Sequence, residues 1–337
     1  MRVFYCAVGV CMLLFLVPSF RAGQVQRTEL AKVAAGMKPG TWAELKTHGY
    51  SADLLQVQSH HILEYTDTAV WDPRSRQVLF VGQGHYSAVK FIAYSEANNT
   101  WKILPTPSWW TGDAKTGKGP IGHAYNNNAL DPAKGILYHH QSATRLVHRY
   151  DITKEKWSTL PEIKGAGIGH GTALAYFPEM KGLIRVYGGF VHFYNEEKNI
   201  WSLLKDKLRM GPYHNIAKYS PPHKAVILGG GNGSKDLYLL DAKAEFTRLP
   251  PAPFVIRISS TTLTIDPVSG DVLVINREDK NKQFFALNLA KKEWRQLPDA
   301  PIMDGVAAPV DTYGVNFYFA HRPAKVYLYK HTGGSGQ

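Results

Sequence analysis

Short apolar runs, rich in β-branched and aromatic residues, recur from residue 41 to residue 330, separated by Asp-Pro, Gly and Lys-rich turns. A turn followed by a hydrophobic run appears as WDPRSRQVLFVG, LDPAKGILYHH, YFPEMKGLIRVYGG, YSPPHKAVILGGG, IDPVSGDVLVIN and, degraded, VDTYGVNFYFA. Runs such as VLFVG and AVILGGG are almost wholly apolar, as expected of strands buried on both faces. A second signal, an aromatic residue followed by leucine, recurs as WAEL, WKILP, WSTLP, WSLL, FTRLP and WRQLP. Just before it lies a further strand, as in LVHRYDITKEKW. The unit is thus four short strands over about 45 residues, the size of one propeller blade.

The two ends of the repeat complete each other. The strands near 304–330 lack a following aromatic-x-x-Leu strand, whereas WAEL at residues 42–45 has no strands before it. An N-terminal strand finishing the last blade would close the ring and remove its edges, so the sequence predicts an all-β, six-bladed propeller rather than a seven-bladed one. Residues 41–330 then form one domain.

In such a ring the innermost strands start at one mouth of a central channel, and equivalent positions converge there from distant repeats. Counted back from the turns, the first-strand entries lie near Tyr65, His123, His170, Tyr213 with His214, Arg257 with Ile258, and Asp304. The second strands end at Gly82, His140, Tyr187, Gly230, Asn276 and Phe319. Antiparallel pairing brings the start of one strand beside the end of the next. His123 and His140 (or His139) of one blade are therefore expected in a common rim pocket with His170 and Tyr187 of the next. Asn126, Asn127 and Asn128 are poor strand formers, which suits either substrate contact by Asn126 or satisfaction of channel backbone groups.

Composition narrows the chemistry. The first residues, MRVFYCAVGVCMLLFLVPSF, read as a secretory signal over residues 1–23, with a basic start and an apolar run too short for a convincing span. The expected mature chain begins between residues 20 and 25, is secreted or periplasmic, and is not membrane-bound. Cys6 and Cys11, the two cysteines of the chain, both lie in that segment. Disulfides, thiol nucleophiles and cysteine zinc sites are thereby excluded from the mature protein. The whole chain carries 39 Lys and Arg against 27 Asp and Glu, +12; without Arg2 and Arg21 the balance is 37 against 27, +10. A basic exported protein suits an anionic partner. The cations are scattered and accompany no nucleic-acid motif, so nucleic acid is not expected. The protein is expected to act as a monomer.

RVYGG, ILGGG and the spaced Tyr and Trp of HRYDITKEKW resemble the kelch repeat over residues 41–330. That resemblance implies a kelch-type propeller but no particular activity. GHAYNNNALDP, with a histidine at the next strand end, is similar to the active-site layout of propeller-type polysaccharide lyases that act on ulvan. Proton transfer by histidine and tyrosine, and neutralisation of a uronate carboxylate by arginine, are what that resemblance implies. His170 and Tyr187 occupy the positions where the family's tyrosine and arginine are expected. Elimination needs a base near the operating pH, an acid for the departing oxygen and a cation for the carboxylate.

His123, His140, His170 and Tyr187 are accordingly the catalytic candidates. Arg257, Arg209, Tyr213, His214 and Asn126 are the substrate-binding candidates, and the substrate class is an acidic polysaccharide. Hydrolysis is less favoured, since Asp304 alone among carboxylates lies clearly at the rim. No cofactor is expected; zinc gathered by His123, His139, His140 and His170 is an alternative without a local motif. The competing readings are a noncatalytic carbohydrate- or protein-binding kelch module, with Trp109 and Trp110 stacking on sugar rings, and a sugar epimerase.

Overall fold

The computed structural model describes residues 27–113, 122–165, 167–278 and 282–332; the signal expected over residues 1–23 and its expected cleavage region lie outside them. The described residues form six four-stranded antiparallel sheets arranged as the blades of a propeller. Blades one to five start with the innermost strands Val70–Asp72, Asn128–Asp131, Ala173–Phe177, Asn215–Ser220 and Thr261–Ile265. The sixth combines Val306–Val310, Val315–Ala320 and Lys325–Lys330 with Thr41–Glu44 on its outside. In that closing pair Thr41 faces Lys330 and Glu44 faces Tyr327, so the ring is closed by the N-terminal strand as the sequence predicts.

Local chemistry explains the repeat. In three blades an aspartate precedes proline at the first turn and accepts backbone N–H groups further on. Asp72 takes those of Arg74 and Ser75, Asp131 those of Ala133 and Lys134, and Asp266 that of Ser269. Each carboxylate fixes a tight turn whose peptide groups have no ladder partner. The aromatic of the outermost strand pairs across the sheet with a tyrosine in four blades: Tyr94 with Trp101, Tyr150 with Trp157, Tyr194 with Trp201 and Tyr329 with Trp42. Ring separations of 4.7–5.5 Å make these pairs the outer half of the core.

Two pieces preceding the first blade were not legible as repeat. The helix Glu29–Gly36 is capped by Thr28, whose hydroxyl accepts from Ala31 N. Residues 51–64 form a short helical turn and a hairpin, Gln56–Val57 with His60–His61, laid against the rim. Lys90 holds that turn by donating to the Asp53, Leu54 and Gln56 carbonyls. Among the described residues no helix is long and apolar enough to cross a membrane.

The blades meet at a polar hub on the channel axis. Asp67, before the first blade's inner strand, is fully buried and accepts from Lys218 Nζ of the fourth blade at 3.0 Å. The Thr68 hydroxyl and Asn126 Nδ2 of the second blade donate to the same oxygen, and Leu263 N of the fifth approaches the other. Asn126 Oδ1 in turn accepts from Ala217 N at 2.6 Å. Asn126 is therefore a fully buried strut rather than a substrate-facing group. Asn128 donates to the carbonyls of Thr68 and Val81, while Asn127 accepts from the Thr172 hydroxyl. The triple asparagine satisfies backbone and side-chain groups of the first, third and fourth blades.

Because Lys218 and Asp67 are both out of water, removing one partner strands the other's charge. Lys218→Met is expected to cost about 3–5 kcal/mol in urea unfolding, and adding Asp67→Asn should recover part of the loss. Deleting residues 41–47 unpairs a whole sheet edge and should lower the melting temperature strongly; an unchanged transition would rule out closure by this strand.

Candidate functional site

The rim at which the inner strands begin also receives the turns between second and third strands, and there the side chains converge. His123, 5% exposed, lies 4.6 Å from the Tyr65 ring and 5.5 Å from Tyr125. His214 stacks with Tyr65 at 5.6 Å and touches Tyr213 at 4.4 Å. The hydroxyls of Tyr125 and Tyr213 are hydrogen-bonded at 2.9 Å. His170 completes the arc, with its ring 6.2 Å from Tyr213 and its Nδ1 3.5 Å from the Ser142 hydroxyl. Three of these bulky residues, Tyr65, Tyr125 and His214, have left-handed backbones with φ of 47°, 44° and 63°. Such conformations are costly away from glycine and gather where a side chain must be aimed.

Burial decides the protonation of the histidines. His123 is pushed down to about 4, chiefly because its surroundings exclude water and secondarily because His85 stands beside it. Its bond to the Gln83 backbone opposes the shift, and its Nδ1 has no protein partner. His214 is likewise lowered to about 4 by burial, with Arg257 adding to the effect. The Asn232 side-chain oxygen sits 3.0 Å from His214 Nδ1, which makes that nitrogen the donor and leaves Nε2 as an unprotonated acceptor. Burial, then the bond to Tyr213, pushes the Tyr125 phenol up, so it retains its proton at neutral pH.

The chain has no match among protein-family models or curated proteins. Its structure is similar to a chain of a solved assembly described as "Crystal Structure of Mitotic Checkpoint Complex", with a TM-score of 0.56 and 10% identity. The likeness covers 96% of this chain and 99% of that one, and at such identity it concerns the fold alone.

The sequence-predicted residues divide into three groups. His123, His170, Tyr213 and His214 share the rim cluster. Arg257 borders it, donating to Ser260 and paired at 2.9 Å with Glu278. His140 and Tyr187 belong to a layer behind. His140 is fully buried, with Nδ1 3.0 Å from the Thr172 hydroxyl and Nε2 accepting from Arg185 Nε at 3.2 Å. Both of its nitrogens are engaged, and burial holds it well below the usual imidazole range. Tyr187 packs over Gly169, with the Arg185 guanidinium 5.7 Å from its ring.

Arg209 lies outside the cluster, exposed in a shallow hollow with Asn232–Asp236 and Arg248 that reaches the cluster through Asn232. His139 points to the opposite face of its blade, its Nδ1 against Asn128 Oδ1 and its ring on Trp109. Trp109 is stacked on both His139 and His148, so its face is taken by imidazoles rather than open to a sugar. Among the described residues no group of three or more histidine, cysteine or acidic side chains is arranged to hold a metal ion.

Sequence reasoning passed over Tyr125, Ser142, His85 and Arg185. Tyr125 lay in plain view between His123 and Asn126, but its orientation follows from a backbone conformation the sequence does not announce. Arg185 carried a usable signal, a lone cation inside the apolar strand GLIRVY. It is fully buried, donates to His140 and to the Gly167 carbonyl, and keeps Nη1 without a protein partner.

The neutral histidines set a pH dependence. His123, His148 and His214 have folded values of about 4, below the unfolded reference of roughly 6.5. The unfolded chain binds more protons between those limits, so stability is full above about 6.5 and declines towards 4, by up to roughly 3 kcal/mol per histidine. Melting curves at pH 7.5, 6, 5 and 4 should show this fall. His214→Gln, which keeps a polar side chain without titrating, should flatten part of it.

Proposed function

We propose that this protein is an exported enzyme of the propeller polysaccharide-lyase type, cleaving a uronate-containing glycan by β-elimination at the rim cluster. The observation that carries this reading is the Tyr125–Tyr213 hydroxyl pair at 2.9 Å, flanked by two imidazoles that remain unprotonated at neutral pH. In this reading His214 Nε2 takes the proton next to the uronate carboxylate, and the released electron pair forms the carbon–carbon double bond. The glycosidic C–O bond then breaks, and Tyr213 supplies the proton its oxygen needs. Tyr125, hydrogen-bonded behind it, orients that hydroxyl, and the proton taken up by His214 passes to Tyr213, whose ring it touches at 4.4 Å, to restore both groups. Arg257, close enough to His214 to depress it, would exchange Glu278 for the substrate carboxylate and so stabilise the charge that develops there.

Tyr65, 42% exposed beside His123 and His214, offers aromatic surface that a sugar ring can contact. The kelch-like glycine pairs and the signal-like N-terminus agree with an exported propeller of this class. The positive charge of the chain favours an anionic polymer over a neutral one.

Incubation with ulvan, polygalacturonate and other acidic glycans, followed by ultraviolet absorbance, detects the unsaturated product directly. Wild-type protein should generate it. His214→Ala and Tyr213→Phe should each reduce turnover by about two to four orders of magnitude with a much smaller loss of binding. Binding without product from the wild type would make the protein a carbohydrate-binding module instead. Full turnover in both variants would remove the rim cluster from the chemistry.

A further inference from the structure

The loop between the second and third strands of the fourth blade carries the chain's one Asn-Gly dipeptide, Asn232–Gly233, in the run GGGNGSK. Ser234 N donates to the Gly231 carbonyl at 3.0 Å, and Gly233 has φ of 77°. This is a β-turn whose third residue must enter the left-handed region, which glycine does without steric strain. Asn232 and Gly233 are both exposed, and nothing lies within 4 Å of where a Gly233 side chain would stand. No hydrogen bond of the Gly233 N–H is among the described contacts, whereas Asn232 N donates to the Tyr213 carbonyl at 2.8 Å. The peptide nitrogen after Asn232 is therefore unhindered and uncommitted.

The same asparagine fixes a rim histidine. Its Oδ1 is the partner of His214 Nδ1 at 3.0 Å, the contact that leaves His214 Nε2 as the acceptor. The other groups facing His214 are the rings of Tyr65, Tyr125 and Tyr213, with His123 and Arg257 close enough to interact with it by charge. Arg257 is itself paired with Glu278, and no carboxylate touches the His214 imidazole among the described contacts. The His214 N–H also draws electrons from the Asn232 amide and would steady negative charge on Oδ1 during an attack on the amide carbon. We infer that Asn232 is a positioning residue for His214 and a site of spontaneous modification, at which loss of the side-chain amide replaces a neutral hydrogen-bond partner of the rim by a carboxylate.

The chemistry needs only water. Gly233 N attacks Asn232 Cγ, the new C–N bond closes an imide ring, and the Cγ–Nδ2 bond breaks as ammonia leaves with the proton given up by the attacking nitrogen. Water then adds to one imide carbonyl and opens the ring, releasing a proton and leaving an aspartyl or an isoaspartyl carboxylate. In the aspartyl product the carboxylate faces His214 Nδ1–H and stabilises the imidazolium, so His214 takes up its second proton at a higher pH than before. In the isoaspartyl product the main chain is longer by a methylene group and the contact with His214 is lost. Either product alters the base that the lyase reading assigns to His214, but the modification itself does not depend on that reading.

The test holds the full chain at mildly alkaline pH, maps conversion by peptide mass, and titrates the imidazoles by NMR, with the His214 signal identified by its absence in His214→Gln. Conversion at Asn232 should outpace that at Asn98 and Asn99, which also lie in a turn, by about tenfold or more, because only glycine brings a nitrogen unshielded by a side chain of its own. Asn232→Asp should raise the His214 titration by about one to three units, whereas Lys235→Glu, a larger charge change on the same exposed loop, should move it far less. Melting temperatures establish that each variant is folded; if Asn232→Asp melts early, wild-type protein aged to conversion supplies the same carboxylate. Conversion at Asn232 no faster than at the other asparagines would overturn the modification. A His214 titration displaced equally by Asn232→Asp and Lys235→Glu, or by neither, would overturn the positioning role. Neither readout involves turnover, so if the wild type yields no unsaturated product the lyase reading falls while mass and NMR still decide this inference.

Discussion

The ring depends on one buried ion pair. Asp67 and Lys218 come from the first and fourth blades and meet on the axis, where water cannot solvate either charge. Their mutual attraction offsets the desolvation cost only because the remaining valences are filled, Asp67 by Thr68, Asn126 and Leu263, and Lys218 also by Thr68. A blade displaced along the axis would leave one of these groups unpaired in a dry interior. The hub thus fixes the relative height of four blades more tightly than apolar packing alone, which tolerates sliding.

That constraint reaches the rim through very short stretches of chain. Tyr65 stands two residues before Asp67, Tyr125 one before Asn126, and His214 four before Lys218. The aromatic and imidazole side chains are thus anchored to the hub by their own backbone. The same closeness explains their left-handed conformations: the chain must turn sharply from the rim into a strand whose next polar group is already committed. Burial that follows from this geometry strips water from His123 and His214 and keeps them neutral. A proton acceptor beside proton-bearing phenols is the chemical result.

The layer behind the rim is organised differently. Arg185 donates to His140, whose other nitrogen faces Thr172, whose hydroxyl donates to Asn127. This relay crosses from the third blade to the second and uses every nitrogen of His140, so the histidine serves the boundary between blades. His139, the next residue along the same strand, faces the first blade instead and packs on Trp109. A strand sandwiched between two blades has no solvent side, and both faces therefore accept histidines.

The sequence by itself determined the architecture: six repeats of four strands, the aspartate turns, the tyrosine–tryptophan pairs and closure by residues 41–44 all follow from spacing and residue type. These features are local, or repeat at a fixed period, and so leave a periodic trace. It also marked His123, His170, Tyr213 and His214 as rim residues, because equivalent positions in a ring must converge. Only the tertiary structure decided that Asn126 is a strut, that His140 is sealed against Arg185, and that Tyr125 completes the cluster. Those outcomes turn on which face of a doubly buried strand a side chain takes and on which distant group fills its hydrogen bonds. Neither is encoded in spacing, since the partners lie on other blades and are brought near only when the ring closes.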